Sequence, residues 1–388
     1  MQIKRFPEDC RVEELFDLPG ERGPHAYYRV EARDLSTPAV RDILAAQLKV
    51  TSSNVVFSAS KDAGSVTVQY ASVRKRGPEV LEGEGVIARR VGWGPRALRP
   101  TNLLGNHFTF VVRDLDMAQI EATGQQLHQL VETGLPNYWD EQQFGSFSAQ
   151  GFIGKAILMR EAEQAIRFYL AIPMASDSPE VREFKHLVES HWGQWGYLLH
   201  KAPRPSNFRS VITFLKDHPK QFRKALNLVH DDLLSVYLIA YQAWVWNCIL
   251  GHYLAERAAT PAWVEIAGAR LPLPETPPAA RENFELSMPN LTVDYPLDFM
   301  PSVEAVLAEE GLTLEDFKAR ILRRVYLPKG LRKIWFAPTA VKIGEPVADE
   351  FLPGRYAVPV DFELDVANYA TLVLKTIAAR LGIAIQVQ

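Results

Sequence analysis

The stretch SASKDAGSVTVQYASV, residues 58–73, decides how the first part of this chain folds. A β-rich run, residues 54–57, precedes it, and residues 66–70 alternate between apolar and polar side chains, which predicts two strands. Asp and Gly are common where a chain reverses, so we expect Lys61 and Asp62 at the tip of a tight hairpin. Turn chemistry alone explains this pair, and the rest of the chain adds a second interpretation.

Length and charge limit the classes of protein. The chain has 388 residues, which favours two domains or one domain with a large insertion. Its 47% hydrophobic and 23% charged residues are typical of a globular protein. The formal net charge of −3 gives no overall attraction to a polyanion, so any binding of nucleic acid must depend on local basic patches.

Cysteine use and apolar runs bear on the compartment. Cys10 and Cys248 lie far apart, which predicts neither a disulfide framework nor a cysteine zinc site and fits a reducing cytosol. The first residues, MQIKRFPEDCRVEELF, lack the apolar core of a signal peptide, and we expect a cytoplasmic protein. Residues 233–255 are long enough to cross a membrane, but Gln242 and Asn247 would be costly in lipid, so we predict a buried helix.

The predicted elements change in type along the chain. Strands are expected in residues 1–75 and 85–115 and again from Trp335, and residues 258–300 read as a proline-rich linker. Helical periodicity is predicted over 38–49, with Thr37 as N-cap, and over 116–133, 153–172, 178–200, 218–257, 303–324 and 370–381. A mixed, then helical, then mixed order is typical of an inserted domain.

Two kinds of segment suggest a ligand. Residues 137–145, NYWDEQQFG, form a polar and aromatic loop that could stack on a base and read its edge, or could simply pack inward. Basic residues form four local runs, and each run alone is typical of a solvated face. Together, in an acidic chain, they predict a salt-sensitive surface that follows phosphates. The runs are Arg74–Arg76; Arg89, Arg90, Arg96 and Arg99; Lys216, Lys220, Arg223 and Lys224; and Arg320, Arg323, Arg324, Lys329, Arg332 and Lys333.

Other signatures of common enzymes are missing from the sequence. It contains no GxGxxG, P-loop, HExxH or GxSxG motif, and its nine histidines are scattered, so we predict no metal site.

Six segments resemble motifs of the TruD family of tRNA pseudouridine synthases, in the family's order and over nearly the whole chain. They are 4–14 (KxxPEDFxVxE), 59–69 (GxKDxxAVTxQ), 103–108 (LxGNxF), 137–145 (NYFGxQRFG), 240–247 (AxQSxLFN) and 368–371 (SxAT). The departures are Ala59 and Asp140 for glycines, Trp139 for phenylalanine, Gln143 for arginine, and a missing arginine in the last helix, with Lys375 nearby. These departures leave the substrate, and whether activity is retained, open.

The resemblance implies that Asp62 is the catalytic aspartate of an isomerase, either as nucleophile or as base at the sugar. The N–C glycosidic bond of uridine breaks and the uracil rejoins through carbon, which requires no redox step, metal or cofactor. An ionised carboxylate in a dry site needs a nearby cation, and Lys4 is the first candidate. Neighbours on a strand point to opposite faces, so Lys61 is expected to reach a phosphate instead.

The resemblance also implies how substrate is bound. Trp139 would stack on the flipped base, Asn137 would hydrogen-bond in the same pocket, and Phe144 would support the loop. The predicted substrate-binding group is Lys4, Lys61, Asn106, Asn137, Trp139 and Phe144.

The expected fold is α+β: a pseudouridine synthase fold with a mixed, largely antiparallel sheet and flanking helices. Residues 1–155 and 335–388 would form the catalytic domain, and residues 156–334 a mostly helical α/β insertion. The implied partner is RNA, with a uridine in the D arm of tRNA as the target of a monomer that binds neither metal nor membrane. An inactive RNA-binding or RNA-chaperone protein on this scaffold is the alternative, and an unrelated helical enzyme or interaction protein is a second one.

Overall fold

The chain forms two compact units. A computed structural model describes residues 1–20, 22–148, 150–174, 177–204, 206–257, 262–277 and 284–387. The first unit comprises Met1–Leu135 and Phe336–Gln388, and the second comprises Pro136–Trp335. Residues 136–155 therefore pack in the second unit, although the sequence-based boundary lies after residue 155. The catalytic and insertion roles of the two parts stay a prediction.

The described residues contain twenty strands and eleven α-helices. The strands are β1 Gln2–Ile3, β2 Cys10–Phe16, β3 His25–Arg33, β4 Val55–Phe57, β5 Val66–Val73, β6 Val80–Gly83, β7 Val86–Gly94, β8 Leu103–Leu115, β9 Leu135–Pro136, β10 Phe147–Ser148, β11 Gly151–Phe152, β12 Ala262–Ile266, β13 Ala269–Leu273, β14 Glu285–Ser287, β15 Leu331–Lys333, β16 Trp335–Phe336, β17 Thr339–Ile343, β18 Val347–Ala348, β19 Tyr356–Asp365 and β20 Gln386–Val387. The helices are α1 Thr37–Leu48, α2 Met117–Thr133, α3 Ile153–Leu158, α4 Ala162–Ala171, α5 Pro179–Ser190, α6 Trp195–Lys201, α7 Phe208–Asp217, α8 Phe222–Leu226, α9 Asp231–Ala255, α10 Met300–Glu310 and α11 Ala370–Arg380.

A twelve-stranded sheet organises the first unit. Its main order is β17–β19–β8–β2–β5–β3–β7–β6, with β1, β4, β18 and β20 paired beside this path. The pairs β2–β5 and β1–β20 are parallel, and the other described pairs in this sheet are antiparallel. This is the mixed, largely antiparallel sheet that the sequence predicts.

Helix α1 covers part of this sheet. Its apolar residues Val40, Leu44 and Leu48 recur every four positions and lie in one core cluster with Tyr28 and other side chains of the strands. The predicted helix over 38–49 is confirmed, but Thr37 is not its N-cap. Ser36 occupies the N-cap position, which leaves the Thr37 side chain for contacts outside the helix.

Three long predicted helices are wrong in the same way, because each is interrupted by a residue with positive φ. Arg160 (φ 62°) separates α3 from α4, Gly193 (φ 90°) lies between α5 and α6, and Gly311 (φ 68°) ends α10. A left-handed residue cannot continue a right-handed helix, so the apolar periodicity runs on while the helix stops.

The predicted linker over 258–300 contains a hairpin. Strands β12 and β13 pair from Ala262↔Leu273 to Ile266↔Ala269. Ala267 (φ 46°) and Gly268 (φ 77°) both take positive φ, as a two-residue hairpin turn requires. The linker prediction is therefore wrong for residues 262–273, while part of the proline-rich run, 278–283, lies outside the described residues.

Helix α9 is the predicted buried helix and runs through the second unit. It is long and apolar enough to span a membrane by length and composition alone, yet 67% of its most apolar window is buried inside the protein. Its polar side chains have protein partners: Gln242 Nε2 donates to the carbonyl of Pro289 at 2.8 Å, and Asn247 bonds to Trp139. A core helix of a soluble protein has these properties.

Candidate active site

Asp62 lies on the loop 58–65, between β4 and β5. The predicted tight hairpin is wrong, because β4 pairs with the far end of β5, from Val55↔Val73 to Phe57↔Ala71. At the near end of β5 the partner is β2, from Arg11↔Val66 to Glu13↔Val68, while β3 pairs along the whole of β5. The strands therefore do not close directly on the loop, and its conformation depends on side chains from other elements.

Thr37 fixes the backbone immediately before Asp62. The N–H of Thr37 donates to the carbonyl of Lys61 at 2.9 Å, and the N–H of Lys61 donates to Thr37 Oγ1 at 2.7 Å. Thr37 is buried at the first turn of α1. The backbone N–H and C=O of Lys61 are thus both held by one residue of a packed helix.

Gln69 holds a second point of the loop. Its Oε1 accepts a hydrogen bond from the Thr37 hydroxyl at 2.8 Å. Its Nε2 donates to the carbonyl of Ala59 and to Glu14 Oε1, both at 3.2 Å. Both amide hydrogens and the amide oxygen are used, so this buried side chain has one defined orientation.

The far side of the loop is held by Asp34. Its Oδ1 accepts from the N–H of Gly64 at 2.9 Å, and its own N–H donates to the carbonyl of Ser65 at 3.0 Å. Gly64 has φ of 92°, a conformation that other residues rarely take. Asp62 is exposed between these held points, so a rigid loop presents its carboxylate.

Lys61 turns into the first unit. Its Nζ donates to Asn106 Oδ1 at 2.6 Å, and Asn106 on β8 is the direct cross-strand partner of Glu14 on β2. The expectation that Lys61 points away to a phosphate rested on strand alternation, which does not apply because residues 58–65 form a loop. The structure therefore brings Lys61, Asn106 and Glu14 together.

Burial controls the charges of this group. It raises the pKa of the Glu14 carboxyl above its ordinary value, while the N–H of Tyr70, the charge of Lys61 and the amide of Gln69 act in the opposite direction. Burial likewise lowers the pKa of Lys61, and the negative charge of Glu14 opposes that shift. A buried acid beside the loop of Asp62 and a partly buried base on that loop thus face each other.

Lys4 belongs to the first unit, as Asp62 does. It takes φ of 57° after β1, and its positive charge acts on the thiol of Cys10. Burial raises the pKa of that thiol to about 11, and the charge of Lys4 opposes this rise. No ion pair joins Lys4 to Asp62 in the described ranges of the chain. The cation expected for Asp62 is therefore not paired with it in this structure.

The loop 137–145 is built in the second unit. Asn137 is buried; its N–H donates to the carbonyl of Ile334 at 2.8 Å and its Nδ2 to that of Lys333 at 3.0 Å. Its Oδ1 accepts from Arg332 Nη2 at 2.7 Å. The amide of Asn137 therefore anchors the loop, and its hydrogen bond to a base stays a prediction.

Arg332 supports the aromatic residue of this loop. Its side chain is only 5% exposed, and it donates to the carbonyls of Asn137 at 2.8 Å and Tyr138 at 3.3 Å. Its guanidinium carbon lies 4.0 Å from the ring centroid of Trp139, a close cation–π contact. Placing Arg332 in a solvated basic run was wrong: β15 alternates exposed, buried, exposed, and Arg332 is its inward residue.

Asn247 of α9 holds the backbone of Trp139. Its Oδ1 accepts from the Trp139 N–H and its Nδ2 donates to the Trp139 carbonyl, both at 2.8 Å. The Trp139 ring is partly exposed, whereas Phe144 is buried with its ring edge against Phe152, 6.0 Å between centroids. Trp139 can therefore offer an indole surface, and Phe144 lies in the interior beneath the loop.

The departures in this loop are part of its own packing. Asp140 is buried, and its carbonyl accepts from the N–H of Gln143 at 2.8 Å. Glu141 Oε1 accepts from the N–H of Ala267, which ties the loop to the β12–β13 turn. Across the described ranges, no group of three or more His, Cys, Asp or Glu side chains is arranged to hold a metal ion.

Sequence reasoning missed three residues behind the loop of Asp62 in the first unit and two that hold the loop 137–145 in the second unit. They are Glu14, Thr37, Gln69, Arg332 and Asn247. Glu14, Gln69 and Asn247 are the last residues of three of the matched motifs, so the motif ends were the available signal. The helix start at Thr37 and the strand alternation at Arg332 give weaker signals.

The chain resembles one protein family over most of its length. The model of the family described as tRNA pseudouridine synthase D (TruD) matches residues 1–265. A Methanocaldococcus jannaschii protein named "Probable tRNA pseudouridine synthase D 2" is 27% identical over 97% of this chain and 91% of its own length. The tRNA pseudouridine synthase D of Aquifex aeolicus is 27% identical over 97% of both chains.

A solved structure has the same fold. It is the crystal structure of a Methanosarcina mazei protein titled "Putative tRNA pseudouridine synthase D (TruD)", with a TM-score of 0.72 at 20% identity, covering 98% of this chain and 93% of that one. The predicted fold class is thereby confirmed. Because the family model matches more than half of the chain, the protein belongs to the tRNA pseudouridine synthase D (TruD) family.

Proposed function

We propose that this protein converts a uridine in the D arm of a tRNA to pseudouridine, with Asp62 as the catalytic carboxylate. Its family makes it an isomerase that forms pseudouridine in tRNA. The D arm and the role of Asp62 go beyond the family assignment and are the proposal.

The reaction conserves every atom of the nucleotide. The bond between N1 of uracil and C1′ of ribose breaks, and a bond between C5 and C1′ forms. The hydrogen on C5 leaves as a proton, and N1 gains one. Asp62 would act at the sugar, as nucleophile or as base. In either role its carboxylate has to be positioned against the reacting atoms.

The observation that carries the proposal is the held loop around Asp62. Thr37, Gln69 and Asp34 fix the backbone on both sides of an exposed carboxylate. Holding a reacting group in one geometry can contribute several kcal/mol to catalysis, about 7 to 11 in favourable cases. A turn that only reverses the chain needs no such set of polar side-chain contacts.

The proposed binding roles follow from the two groups of side chains. Trp139, held by Arg332 and Asn247, would stack on the extruded base, and the Asn137 amide would bond in the same pocket. Lys4, Lys61 and Asn106 stay proposed substrate-binding residues of the first unit, Lys61 and Asn106 as a hydrogen-bonded pair at the loop of Asp62. Phe144 would act by supporting the loop.

The test combines two readouts on unmodified tRNA labelled with tritium at C5 of uridine. We expect the full-length protein to release tritium to solvent, and carbodiimide mapping to locate one new pseudouridine in the D arm. A product elsewhere would overturn the D-arm assignment and leave the activity intact. Tight tRNA binding without tritium release would instead support the inactive RNA-binding protein.

We also propose that the protein works in the cytoplasm as a monomer. A tRNA substrate and the burial of α9 within the second unit support the compartment. Cell fractionation and sedimentation of the purified protein test these two statements separately.

A further inference from the structure

Two basic segments that lie far apart in the sequence meet on the second unit. Asn227, just after α8, joins them: its Nδ2 donates to the carbonyl of Ile321, and its Oδ1 accepts from the N–H of Arg323, both at 2.9 Å. Arg223 Nη2 also donates to the carbonyl of Arg320 at 3.3 Å. The end of α8 is thus fixed beside residues 320–323.

These contacts create one charged surface. We define the basic patch as Lys220, Arg223, Lys224, Arg323 and Arg324. All five residues are exposed, and within the described part of the chain none of them forms an ion pair.

The acids of the neighbouring turn do not neutralise this patch. Glu315 is paired with Lys318 at 3.2 Å and with Arg320, and Asp316 is paired with Arg160 at 3.7 Å. The patch is therefore a local excess of positive charge in a chain whose net charge is −3. Such an excess attracts a polyanion locally where the whole protein does not.

The segment that carries the patch leads to the aromatic loop. Tyr326 is 79% exposed two residues after Arg324, and an exposed ring beside cations is typical of surfaces that bind single-stranded nucleic acid. Arg332, which supports Trp139, follows eight residues after Arg324. Even fully extended, that span is at most about 29 Å, so one RNA can reach both.

We propose that the basic patch binds phosphodiester groups of the tRNA whose uridine reacts. This inference rests on the proposed function and names a surface that the catalytic chemistry does not need. An acidic protein or an anionic membrane would also be attracted by the charge. The exposed Tyr326 and the continuity with Arg332 favour RNA.

The test compares two double variants of the full-length protein. The patch variant carries Arg323→Gln and Arg324→Gln, and the control carries Lys201→Gln and Arg270→Gln, two exposed cations of the same unit outside the patch. Both variants change the net charge equally. The dissociation constant for unmodified tRNA is measured across a salt series, and single-turnover tritium release is measured at saturating protein.

We expect the patch variant to bind about 10-fold more weakly at about 0.1 M salt, with a salt slope smaller by about 1.5, because each lost phosphate contact removes about 0.7 to 0.9. The control should keep its slope, and both variants should keep a rate within about 2-fold at saturation. Retained slope and affinity in the patch variant, or an equal loss in the control, would overturn the proposal.

The two proposals can fail separately. Patch-dependent tRNA binding without tritium release would refute the proposed catalytic function and support RNA binding by the basic patch. Tritium release with a tRNA affinity that does not depend on the patch would support the catalytic function and refute RNA binding by the patch. A wild type that binds no tRNA at low salt would also refute RNA binding by the patch. Patch-dependent binding to phosphatidylserine vesicles, with tRNA affinity unchanged, would assign the surface to a membrane.

Discussion

Thr37 and Lys61 exchange two backbone-directed hydrogen bonds although 24 positions separate them: Thr37 N–H to the Lys61 carbonyl at 2.9 Å, and Lys61 N–H to Thr37 Oγ1 at 2.7 Å. This pair ties the first turn of α1 to the residue before Asp62. The Thr37 hydroxyl continues to Gln69, so helix, loop and strand share one polar network. The geometry of Asp62 should therefore depend on a hydroxyl that never touches substrate.

Thr37→Val removes this hydroxyl at nearly constant volume. We expect kcat for pseudouridine formation to fall by about 10- to 100-fold, because a displaced catalytic group loses much of its advantage, with KM for tRNA little changed. Thr37→Ser keeps the hydroxyl and should restore most of kcat, which a loss of packing alone would not explain. Steady-state tritium release measures kcat for each variant. A valine variant with wild-type kcat would show that Thr37 does not position Asp62.

Glu14→Gln tests the buried acid beside Lys61. Burial raises the pKa of Glu14 above 4.5, so the folded state holds this proton more tightly than the unfolded chain. Its contribution to stability is complete below pH 4.5 and is lost as the pH rises through the raised pKa. The stability of the wild type relative to the glutamine variant should therefore decline with rising pH. Urea unfolding of both proteins from about pH 4 to about pH 8 measures this difference, and a constant difference would contradict it.

Arg332→Met leaves the carbonyls of Asn137 and Tyr138 without their buried donor. We expect a loss of about 2 kcal/mol in the free energy of unfolding and weaker pseudouridine formation, because the support of Trp139 is removed. Arg270→Met is the matched control: its guanidinium also lies over an indole, 4.7 Å from the Trp263 ring centroid, but it is exposed. The control should change stability by less than about 0.5 kcal/mol. Equal losses in the two variants would refute a special role for Arg332.

Trp139→Ala removes the proposed stacking surface. Stacking of one base on an aromatic ring is worth about 1 to 3 kcal/mol, so kcat/KM should fall by about 5- to 150-fold. Trp139→Phe keeps an aromatic ring and should stay within about 5-fold of the wild type. Single-turnover rates over a range of protein concentrations separate binding from chemistry, and an alanine variant as active as the phenylalanine variant would exclude stacking by this residue.

Much of the fold is readable from local pattern. Helices α1, α2 and α11 were predicted within a few residues, because apolar periodicity, prolines and terminal glycines such as Gly134 are local signals. The breaks at Arg160 and Gly193 were missed, because periodicity survives a break in the helix. The hairpin at 262–273 was missed because prolines around it concealed the short strands.

The motifs point to candidate site residues, whereas the contacts around those residues come only from the structure. The motifs identify Asp62, Asn137 and Trp139, but no local signal says that Lys61 turns inward to Asn106. That contact joins a loop to a strand 45 positions away, and it depends on β5 and β8 pairing with opposite edges of β2. The burial of Arg332 depends likewise on tertiary packing, which a run of basic letters cannot reveal.

The central claim is that the Asp62 carboxylate performs the isomerisation, and Asp62→Asn tests it most directly. Asp34→Asn is the matched control, since it removes a carboxylate that contacts the same loop but keeps an oxygen for the Gly64 N–H. The measurement is single-turnover pseudouridine formation on unmodified tRNA at saturating protein. We expect Asp62→Asn to give no detectable product and to bind tRNA with unchanged affinity. We expect Asp34→Asn to react at a rate within about 10-fold of the wild type. Product formed at the wild-type rate by Asp62→Asn would contradict a catalytic role for the Asp62 carboxylate.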